Sequence, residues 1–324
     1  MMEYVRLGCA GVKVSRIALG LGFRGQSSVA EARRVIEHAI DSGVNFIDCA
    51  NFYRVGLGPL SEEVLGTVLE TRREEVVITS KVFGSVGPGV NDRGSSRVHI
   101  LSEVEKSLSR LRTDHIDIYL LHRFDEETPI DETIRALDDL VTSGKVRYVG
   151  VCNFKAWQVC KALWVEDSVG ADPLVTIQNP YSLMNRALEG EMFGLIRDQG
   201  FGAIAFSPLG VGLLSGLYTP GEPPPAGSLW SAKDHQAHFN RSLSGQAPEI
   251  IGVLRDIAGQ REKTPAQVAL NWVISKPEIT AAISGSDTIE QLDENLGAVG
   301  WDLSEDEITR LDQASEGIEC NFNV

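Results

Sequence analysis

The chain has 324 residues and a formal net charge of −15. An acidic surface argues against nucleic-acid binding, because phosphate neutralisation needs a basic face. Hydrophobic residues make up 43% of the chain, which is enough for a large core, yet no apolar run approaches the ~20 residues that a membrane-spanning helix needs. We therefore expect a globular protein that binds neither nucleic acid nor a membrane.

The cysteines are scattered and show no Cys-x-x-Cys spacing. This pattern predicts neither a zinc site nor a disulfide framework. The first six residues also lack the charged leader and apolar stretch of a secretion signal. We therefore expect no metal and a reducing, cytoplasmic setting. The five cysteines are Cys9, Cys49, Cys152, Cys160 and Cys320.

Short apolar runs alternate with amphipathic segments along most of the chain. The runs are rich in β-branched residues and four to eight residues long, as buried parallel strands are, and the amphipathic segments predict helices. Residues 3–15 form two short alternating runs with glycines between them, which predicts a β-hairpin. The predicted strands are 16–20, 45–49, 76–81, 116–121, 147–151, 174–178, 202–206 and 280–284. The predicted helices are 29–42, 60–71, 98–111, 131–143, 155–165, 187–199, 248–260, 266–273, 288–296 and 305–315.

This alternation of strands and helices predicts a (β/α)8 TIM barrel, formed as a single domain from residues 1–324. Two long loops are expected at the carboxyl face of the barrel. One is the glycine-rich segment 84–94. The other lies between 206 and 246, is rich in proline and polar residues, and is predicted to be a structureless lid or binding loop.

Polar residues close three of the predicted strands. Asp48, Lys81 and His122 each end an apolar run, and Tyr53 follows Asp48 by five residues. Ligands bind at the carboxyl ends of strands in barrels of this kind. We therefore expect these four side chains to converge on one pocket.

Together these residue types can deliver a proton to an oxygen that gains negative charge. A free phenol titrates near ~10, and the ammonium of Lys81 close to Tyr53 is expected to lower that pKa. Asp48 would keep Lys81 charged, and His122 would donate a hydrogen bond that orients a substrate oxygen. Carbonyl reduction requires such an arrangement together with a source of hydride.

Several longer motifs lie in register along the chain. They include Gly43-Val-Asn-Phe-Ile-Asp48, Ile78-Thr-Ser-Lys81, the run from Ser107 to His122, the run from Gly144 to Phe154, Gln178-Asn-Pro-Tyr181, Phe206-Ser-Pro-Leu209 and the run from Gly285 to Asn295. With these motifs the sequence resembles the aldo-keto reductase family over about residues 5 to 315. The resemblance implies an NAD(P)(H)-dependent oxidoreductase that interconverts a carbonyl and an alcohol without a metal. It assigns Tyr53 as general acid, or as base in the reverse direction, Lys81 as the residue that tunes its pKa, Asp48 as the partner of Lys81, and His122 as the group that orients the substrate.

The resemblance also implies a binding site for NADP or NAD. Asn153 and Gln178 would hold the nicotinamide carboxamide, and Phe206 would stack on the nicotinamide ring. Cys152 stands where the family usually has serine. No Gly-x-Gly-x-x-Gly follows the first strand, so a Rossmann fold is not supported. Ser207, Leu209, Gly212 and Leu213 would line the pyrophosphate, and Gly285, Ser286, Gln291 and Asn295 would hold the adenosine end.

The loop Gly285-Ser286-Asp287-Thr288 contains no basic residue. A carboxylate at Asp287 would repel a 2′-phosphate and could accept a hydrogen bond from a ribose 2′-hydroxyl. The sequence therefore predicts that NAD(H) is tolerated or preferred.

The candidate substrate-binding residues follow strand ends or lie in the long loop. Aromatic walls suit a flat or apolar carbonyl compound, a small molecule that the sequence does not identify. Neither the physiological direction nor the oligomeric state can be read from the sequence. The candidates are Phe23, Arg24, Phe52, Phe83, Arg123, Phe124 and Trp230.

Two other functions are compatible with these residues. A lysine at a strand end can serve as the nucleophile of a Schiff-base aldolase, but Asp48 would keep Lys81 protonated. The same barrel can also act as a catalytically weak nucleotide-binding sensor or a module similar to a channel subunit, because fold alone does not determine function.

Overall fold

A computed structural model describes residues 2–320 as a closed barrel of eight parallel strands, preceded by a two-stranded antiparallel sheet. This confirms the predicted (β/α)8 fold with an amino-terminal hairpin. Around the barrel the strands are ordered β10-β3-β4-β5-β6-β7-β8-β9. The strands are β1 (Tyr4–Arg6), β2 (Lys13–Ser15), β3 (Ile17–Gly20), β4 (Phe46–Asp48), β5 (Val77–Val82), β6 (Ile116–Leu121), β7 (Val146–Cys152), β8 (Leu174–Pro180), β9 (Gly202–Phe206) and β10 (Ile279–Ser284).

The helices agree with the predicted segments to within a few residues, with two exceptions. The predicted helix 155–165 continues to Val169 and ends at Gly170, whose φ of 66° provides the left-handed residue that commonly terminates a helix. The predicted helix 187–199 is divided at Gly190 into a 3-10 turn and a shorter helix. The helices are α1 (Val29–Asp41), α2 (Ser61–Arg72), α3 (Arg97–Leu111), α4 (Ile130–Thr142), α5 (Ala156–Val169), α6 (Met192–Gln199), α7 (Gln236–Ser242), α8 (Ala247–Gln260), α9 (Pro265–Ser275), α10 (Ile289–Leu296) and α11 (Glu305–Ala314).

The amino-terminal hairpin covers the end of the barrel opposite the carboxyl ends of the strands. Leu7 and Val14 are fully buried and belong to the same apolar cluster as Phe46 and Ile118 from the barrel strands. The amide of Cys9 also donates to the carbonyl of Gly200, which precedes β9. The barrel is therefore closed at this end by packed side chains.

The segment between β9 and α8 is more ordered than its composition predicts. The expectation of a structureless stretch to residue 246 is wrong, because the segment contains α7 and two 3-10 turns, Leu229–Ser231 and Lys233–His235. Trp230 and Phe239 are almost completely buried and pack against each other. These two aromatic rings anchor the segment to the protein, although its polar sequence shows no helical or strand periodicity. The other predicted loop, 84–94, contains neither helix nor strand.

Candidate active site

The carboxyl ends of β4, β5 and β6 bring the four predicted catalytic side chains together. Lys81 Nζ lies 2.8 Å from Asp48 Oδ2 and 5.0 Å from the centroid of the Tyr53 ring. The rings of Tyr53 and His122 are 6.0 Å apart between centroids. Asp48 and Lys81 end or nearly end their strands, whereas Tyr53 lies in the loop between β4 and α2. The arrangement places a phenol, an ammonium and an imidazole around one point.

Asp48 and Lys81 form a buried ion pair with further hydrogen bonds. The ammonium of Lys81 also donates to the carbonyl of Cys49 at 2.7 Å. The second carboxylate oxygen of Asp48 accepts from Thr79 Oγ1 at 2.5 Å and from Gln178 Nε2 at 2.8 Å. Burial acts to lower the pKa of Lys81, but the negative charge of Asp48 outweighs it, so the pKa is raised. Lys81 is therefore an ammonium at neutral pH.

The hydroxyl of Tyr53 is a neutral phenol at physiological pH. Burial, opposed by the positive charge of Lys81, raises the pKa of Tyr53 to about 12. The expectation that Lys81 brings this pKa below its ordinary value of ~10 is thus wrong for the net shift, because desolvation outweighs the ammonium. The phenol is held in its proton-donating form, and Lys81 is placed to stabilise the phenolate that proton loss would create.

His122 is an uncharged imidazole. Burial lowers the pKa of His122 to about 3, and the positive charges of Lys81 and Arg123 act in the same direction. Its ring stacks on Phe52 with a centroid separation of 5.3 Å, and Nδ1 is buried without a hydrogen-bond partner among residues 2–320. A neutral ring has one N–H to donate, so His122 can orient an oxygen without carrying charge.

Three polar side chains at the ends of β7 and β8 are linked to the predicted catalytic side chains. The Gln178 amide donates to Asp48, and its oxygen Oε1 accepts from the Cys152 thiol at 3.4 Å. Burial raises the pKa of Cys152 to about 12, so the thiol keeps its proton. Asn153 has a left-handed backbone, with φ of 59°, and donates from Nδ2 to the carbonyl of His122 at 3.1 Å. Cys152 therefore takes part in the hydrogen bonding that orients Gln178.

The turn after β9 has the features of an anion-binding loop. Ser207 and Val211 have φ of 51° and 55°, a left-handed conformation that is unfavourable for residues other than glycine and is concentrated at functional sites. Among the residues that the structure describes, the amides of Leu209, Val211 and Gly212 donate to no other group. Free amides in such a turn suit the oxygens of a diphosphate. Phe206, half-buried, immediately precedes them.

Trp230 supports this turn from inside the protein. Its indole is fully buried, and Nε1 donates to the carbonyl of Val211 at 3.0 Å. His238 packs against the ring, with 5.7 Å between centroids. The structure therefore does not bring Trp230 to a free wall where a substrate would bind.

The residues predicted for the adenosine end lie close together after β10. Asn295 Nδ2 donates to the hydroxyls of Ser284 at 2.9 Å and Ser286 at 3.2 Å. Gln291 Oε1 accepts from the amide of Asp287 at 2.9 Å. Gly285 is exposed at the start of the loop.

Asp287 joins the loop after β10 to the loop after β3. Its Oδ2 accepts from the amide of Gly25 at 2.9 Å, and its backbone carbonyl accepts from Gln26. Its other oxygen, Oδ1, is buried without a hydrogen-bond partner in the described part of the chain. Burial raises the pKa of Asp287, opposed by the bonds from Gly25 and Gln26 and by Arg24. Oδ2 of Asp287 thus joins the two loops, whereas Oδ1 makes no such contact among residues 2–320.

The predicted substrate-binding residues differ in how close they lie to the four predicted catalytic side chains. Phe52 is partly exposed and contacts the rings of both Tyr53 and His122. Phe124 instead packs on Phe154 and Trp157. Four more lie in the loops after β3, β5 and β6: Phe23 is buried, Phe83 is half-buried, and Arg24 and Arg123 are exposed.

Sequence reasoning missed Thr79 and Cys49, which complete the hydrogen bonding of the ion pair. A signal for Thr79 was available, because residues two apart on a strand face the same side and Thr79 precedes Lys81 by two. Among residues 2–320, no group of three or more His, Cys, Asp or Glu side chains is arranged to hold a metal ion. None of the helices in that range has the length and apolar character needed to cross a bilayer.

Comparison with known proteins gives matches along almost the whole chain. The model of the aldo/keto reductase family matches residues 16–316. An uncharacterized oxidoreductase of Bacillus subtilis, YrpG, is 36% identical over 325 residues, covering 98% of this chain and 97% of the relative. These matches and the barrel define the class: the chain is an oxidoreductase. More narrowly, it belongs to the aldo/keto reductase family.

Two other relatives carry different names. A probable voltage-gated potassium channel subunit beta of Arabidopsis thaliana is 34% identical, covering 92% of this chain and 91% of the relative. L-glyceraldehyde 3-phosphate reductase of Escherichia coli is 30% identical, covering 99% of this chain and 94% of the relative. The names therefore include an enzyme and a channel subunit.

Proposed function

We propose that this protein interconverts an aldehyde or ketone and the corresponding alcohol, using NADP(H) or NAD(H), with Tyr53 as the general acid and base. The observation that carries the proposal is the buried Lys81–Asp48 ion pair beside the Tyr53 ring. A buried ammonium next to a neutral phenol is suited to stabilising the phenolate formed by proton donation.

In the reductive direction, Tyr53 gives its hydroxyl proton to the oxygen of the carbonyl group. Lys81 stabilises the phenolate that remains, and Asp48 keeps Lys81 charged. The neutral His122 donates a hydrogen bond to the same substrate oxygen and so fixes the orientation of the carbonyl. The bound nicotinamide cofactor supplies the hydride. In the oxidative direction, the phenolate of Tyr53 takes the proton of the alcohol.

The cofactor would be held by residues after β7 to β10. The amides of Asn153 and Gln178 suit a carboxamide, and the Phe206 ring suits stacking on the nicotinamide. The unpaired amides of the following turn suit a diphosphate, and the free oxygen of Asp287 suits a ribose hydroxyl better than a phosphate, which supports use of NAD(H). The residues proposed for the diphosphate and adenosine are Ser207, Leu209, Gly212, Leu213, Gly285, Ser286, Asp287, Gln291 and Asn295.

The substrate is proposed to be a small carbonyl compound that contacts Phe52. Arg123 is exposed directly after His122, and one relative is named for a phosphorylated aldehyde. Phosphorylated aldehydes therefore belong in a substrate screen beside aromatic and aliphatic ones. The five free cysteines support a reducing, cytoplasmic setting.

The alternative of a nucleotide-binding sensor with little turnover is favoured by the relatives named as channel subunits. The presence of Tyr53 together with Lys81, Asp48 and His122 instead favours an enzyme with turnover. An aldolase through Lys81 is disfavoured, because a fully buried ammonium paired with a carboxylate is not a nucleophile.

The test is a screen of NADPH and NADH oxidation with aldehydes, ketones and sugars, run with wild type and Tyr53→Phe. We expect Tyr53→Phe to lower kcat by about 10²- to 10⁴-fold, the range for loss of a general acid, while cofactor affinity measured by fluorescence titration is retained. Tyr119→Phe, which removes a buried hydroxyl that has no hydrogen-bond partner among residues 2–320, is the matched control. Cofactor binding without turnover of any substrate would favour the sensor, and equal activity in wild type and Tyr53→Phe would refute the proposed role.

A further inference from the structure

A second buried polar network lies outside the barrel wall, between β5, α2 and α3. Glu62 and Glu103 are both 0% exposed, although a buried carboxylate costs several kcal/mol unless it is paired. The network reaches the loop that carries Tyr53 but belongs to none of the groups described for catalysis or cofactor binding. Its members are Asn51, Glu62, Ser80, Glu103, Lys106, Ser107 and Arg110.

One half of the network joins helices to the barrel. Glu62 accepts from Ser80 Oγ at 2.5 Å and from Arg110 Nε at 2.6 Å. Arg110 also donates to the hydroxyl of Ser107 at 3.1 Å. The two Glu62 bonds connect α2 to β5 and to α3, whereas the Arg110–Ser107 bond lies within α3. Arg110 Nη2 also lies 4.0 Å from Glu103 Oε2, which is the contact between the two halves. The role of this half is to hold α2 and α3 on β5.

The other half joins α3 to the catalytic loop. Glu103 Oε1 accepts from the partly exposed Lys106 at 2.7 Å, and Glu103 Oε2 accepts from Asn51 Nδ2 at 2.9 Å. Asn51 is 1% exposed and lies two residues before Tyr53. A charge-assisted hydrogen bond between buried groups is among the stronger bonds that a loop can make.

The backbone amides of Asn51 and Tyr53 make longer hydrogen bonds than the Asn51 side chain. The amide of Asn51 lies 3.4 Å from the carbonyl of Lys81, at the long limit for a hydrogen bond. The amide of Tyr53 donates only within the turn, to Ala50 at 3.2 Å. The carbonyl of Tyr53 accepts from the amide of Ser61 in α2 at 2.7 Å. The Asn51–Glu103 bond is the side-chain contact that ties the same turn to α3.

We propose that Glu103 is a positioning residue: through Asn51, it sets the place of the Tyr53 hydroxyl relative to Lys81 and the substrate oxygen. The inference rests on the proposed function for its kinetic consequence. A displacement of about 1 Å in a reacting group can lower the rate about 10²-fold. Loss of this bond should therefore lower kcat while leaving the binding of cofactor, which lies on other loops, unchanged.

The experiment exchanges the two partners. Asn51→Asp places two carboxylates against each other, and Asn51→Ala removes the donor without adding charge. In Asn51→Asp/Glu103→Gln the carboxylate and the amide change places, so one hydrogen bond is restored with the same number of charges. Ser107→Ala, which removes a bond from the other half of the network, is the matched control. The readouts are kcat, KM, cofactor affinity, melting temperature and hydrogen exchange of the amides of residues 50–61.

We expect Asn51→Asp and Asn51→Ala to lower kcat by about 10²-fold with little change in KM or cofactor affinity, and to speed amide exchange in residues 50–61. The double variant should regain most of the lost kcat and slow exchange. Ser107→Ala should lower the melting temperature without changing kcat.

Wild-type kcat in Asn51→Ala, or a loss in Ser107→Ala as large as in Asn51→Ala, would overturn the positioning role. Absence of turnover in wild type would instead refute the proposed function, and hydrogen exchange would still test the contact. Equal exchange in wild type and Asn51→Ala would show that Glu103 does not fix the loop.

Discussion

Lys81 Nζ and Asp48 Oδ2 lie 2.8 Å apart, with 0% and 6% of the two side chains exposed. Replacing one member of such a pair destabilises the fold, because the other member is left as a buried charge without a partner. The pair therefore links the stability of the barrel to the proposed proton donation by Tyr53.

Lys81→Met is expected to lower the free energy of unfolding by about 3–5 kcal/mol, because Asp48 is left buried and unpaired. Asp48→Asn/Lys81→Met removes both charges and should recover most of that loss. Neither variant should reduce a carbonyl, since both lack the ammonium beside Tyr53. Urea denaturation and kcat measure the two effects. A double variant as unstable as Lys81→Met would contradict the account of the ion pair.

The stability of the protein should depend on pH through His122. Its pKa is lowered to about 3, so the unfolded chain binds a proton below ~6.5 that the folded chain does not. The free energy of unfolding should fall as the pH decreases from ~6.5 towards 3, with a slope of up to ~1.4 kcal/mol per pH unit from this residue. The difference between wild type and His122→Asn isolates the contribution, and a difference independent of pH would show that His122 titrates normally.

His122 should also be absent from the pH–rate profile at neutral pH. A group with a pKa near 3 does not titrate between pH 5 and 8, whereas an ordinary histidine does. We expect kcat for carbonyl reduction to show no inflection near ~6.5. Measurement from pH 5 to 9 in buffers of constant ionic strength tests this, and an inflection that disappears in His122→Asn would refute the neutral assignment.

Asp287→Asn should shift cofactor preference towards NADP(H). The substitution removes the negative charge but keeps an oxygen to accept from the amide of Gly25. We expect the ratio of affinities for NADPH and NADH to increase about tenfold, equivalent to ~1.4 kcal/mol. Asp293→Asn removes a more exposed carboxylate of α10 and is the control for net charge. An unchanged ratio would place the 2′ position away from Asp287.

Trp230→Ala and Phe52→Ala should affect different properties: the first should affect stability and cofactor binding, and the second substrate binding. Trp230→Ala removes a fully buried ring and should cost about 3–5 kcal/mol of stability. It should also raise the KM for cofactor, because the turn at Val211 loses its support. Phe52→Ala should raise the KM for substrate with little loss of stability. Equal effects on both constants would contradict this division.

The sequence predicts the barrel, and the convergence of Asp48, Tyr53, Lys81 and His122, better than it predicts their surroundings. The apolar runs that end in Asp48, Lys81 and His122 predict both a strand and a site residue. The apolar residues indicate the buried strand, and the polar residue at its carboxyl end indicates the site. Glu103 carries no such signal, since a glutamate beside Lys106 in a helix has the pattern of a solvated face. Its burial follows from the packing of α3 on the barrel, which only the structure reveals.

The loops were also harder to predict, because the burial of their side chains depends on packing that the sequence pattern does not show. Trp230 lies in a polar, proline-containing segment, where an aromatic residue is equally compatible with a ligand wall and with an anchor. The sign of the net pKa shift at Tyr53 depends on the extent of desolvation against the charge of Lys81, and desolvation is a property of the folded surroundings. Residue type alone identifies the opposing effects but not their balance.

The hairpin formed by β1 and β2 fills the amino end of the barrel with Leu7 and Val14. The carboxyl ends of the strands therefore form the entrance that the proposed cofactor and carbonyl compound would share. With one entrance, the molecule in the deeper position would have to bind first and leave last.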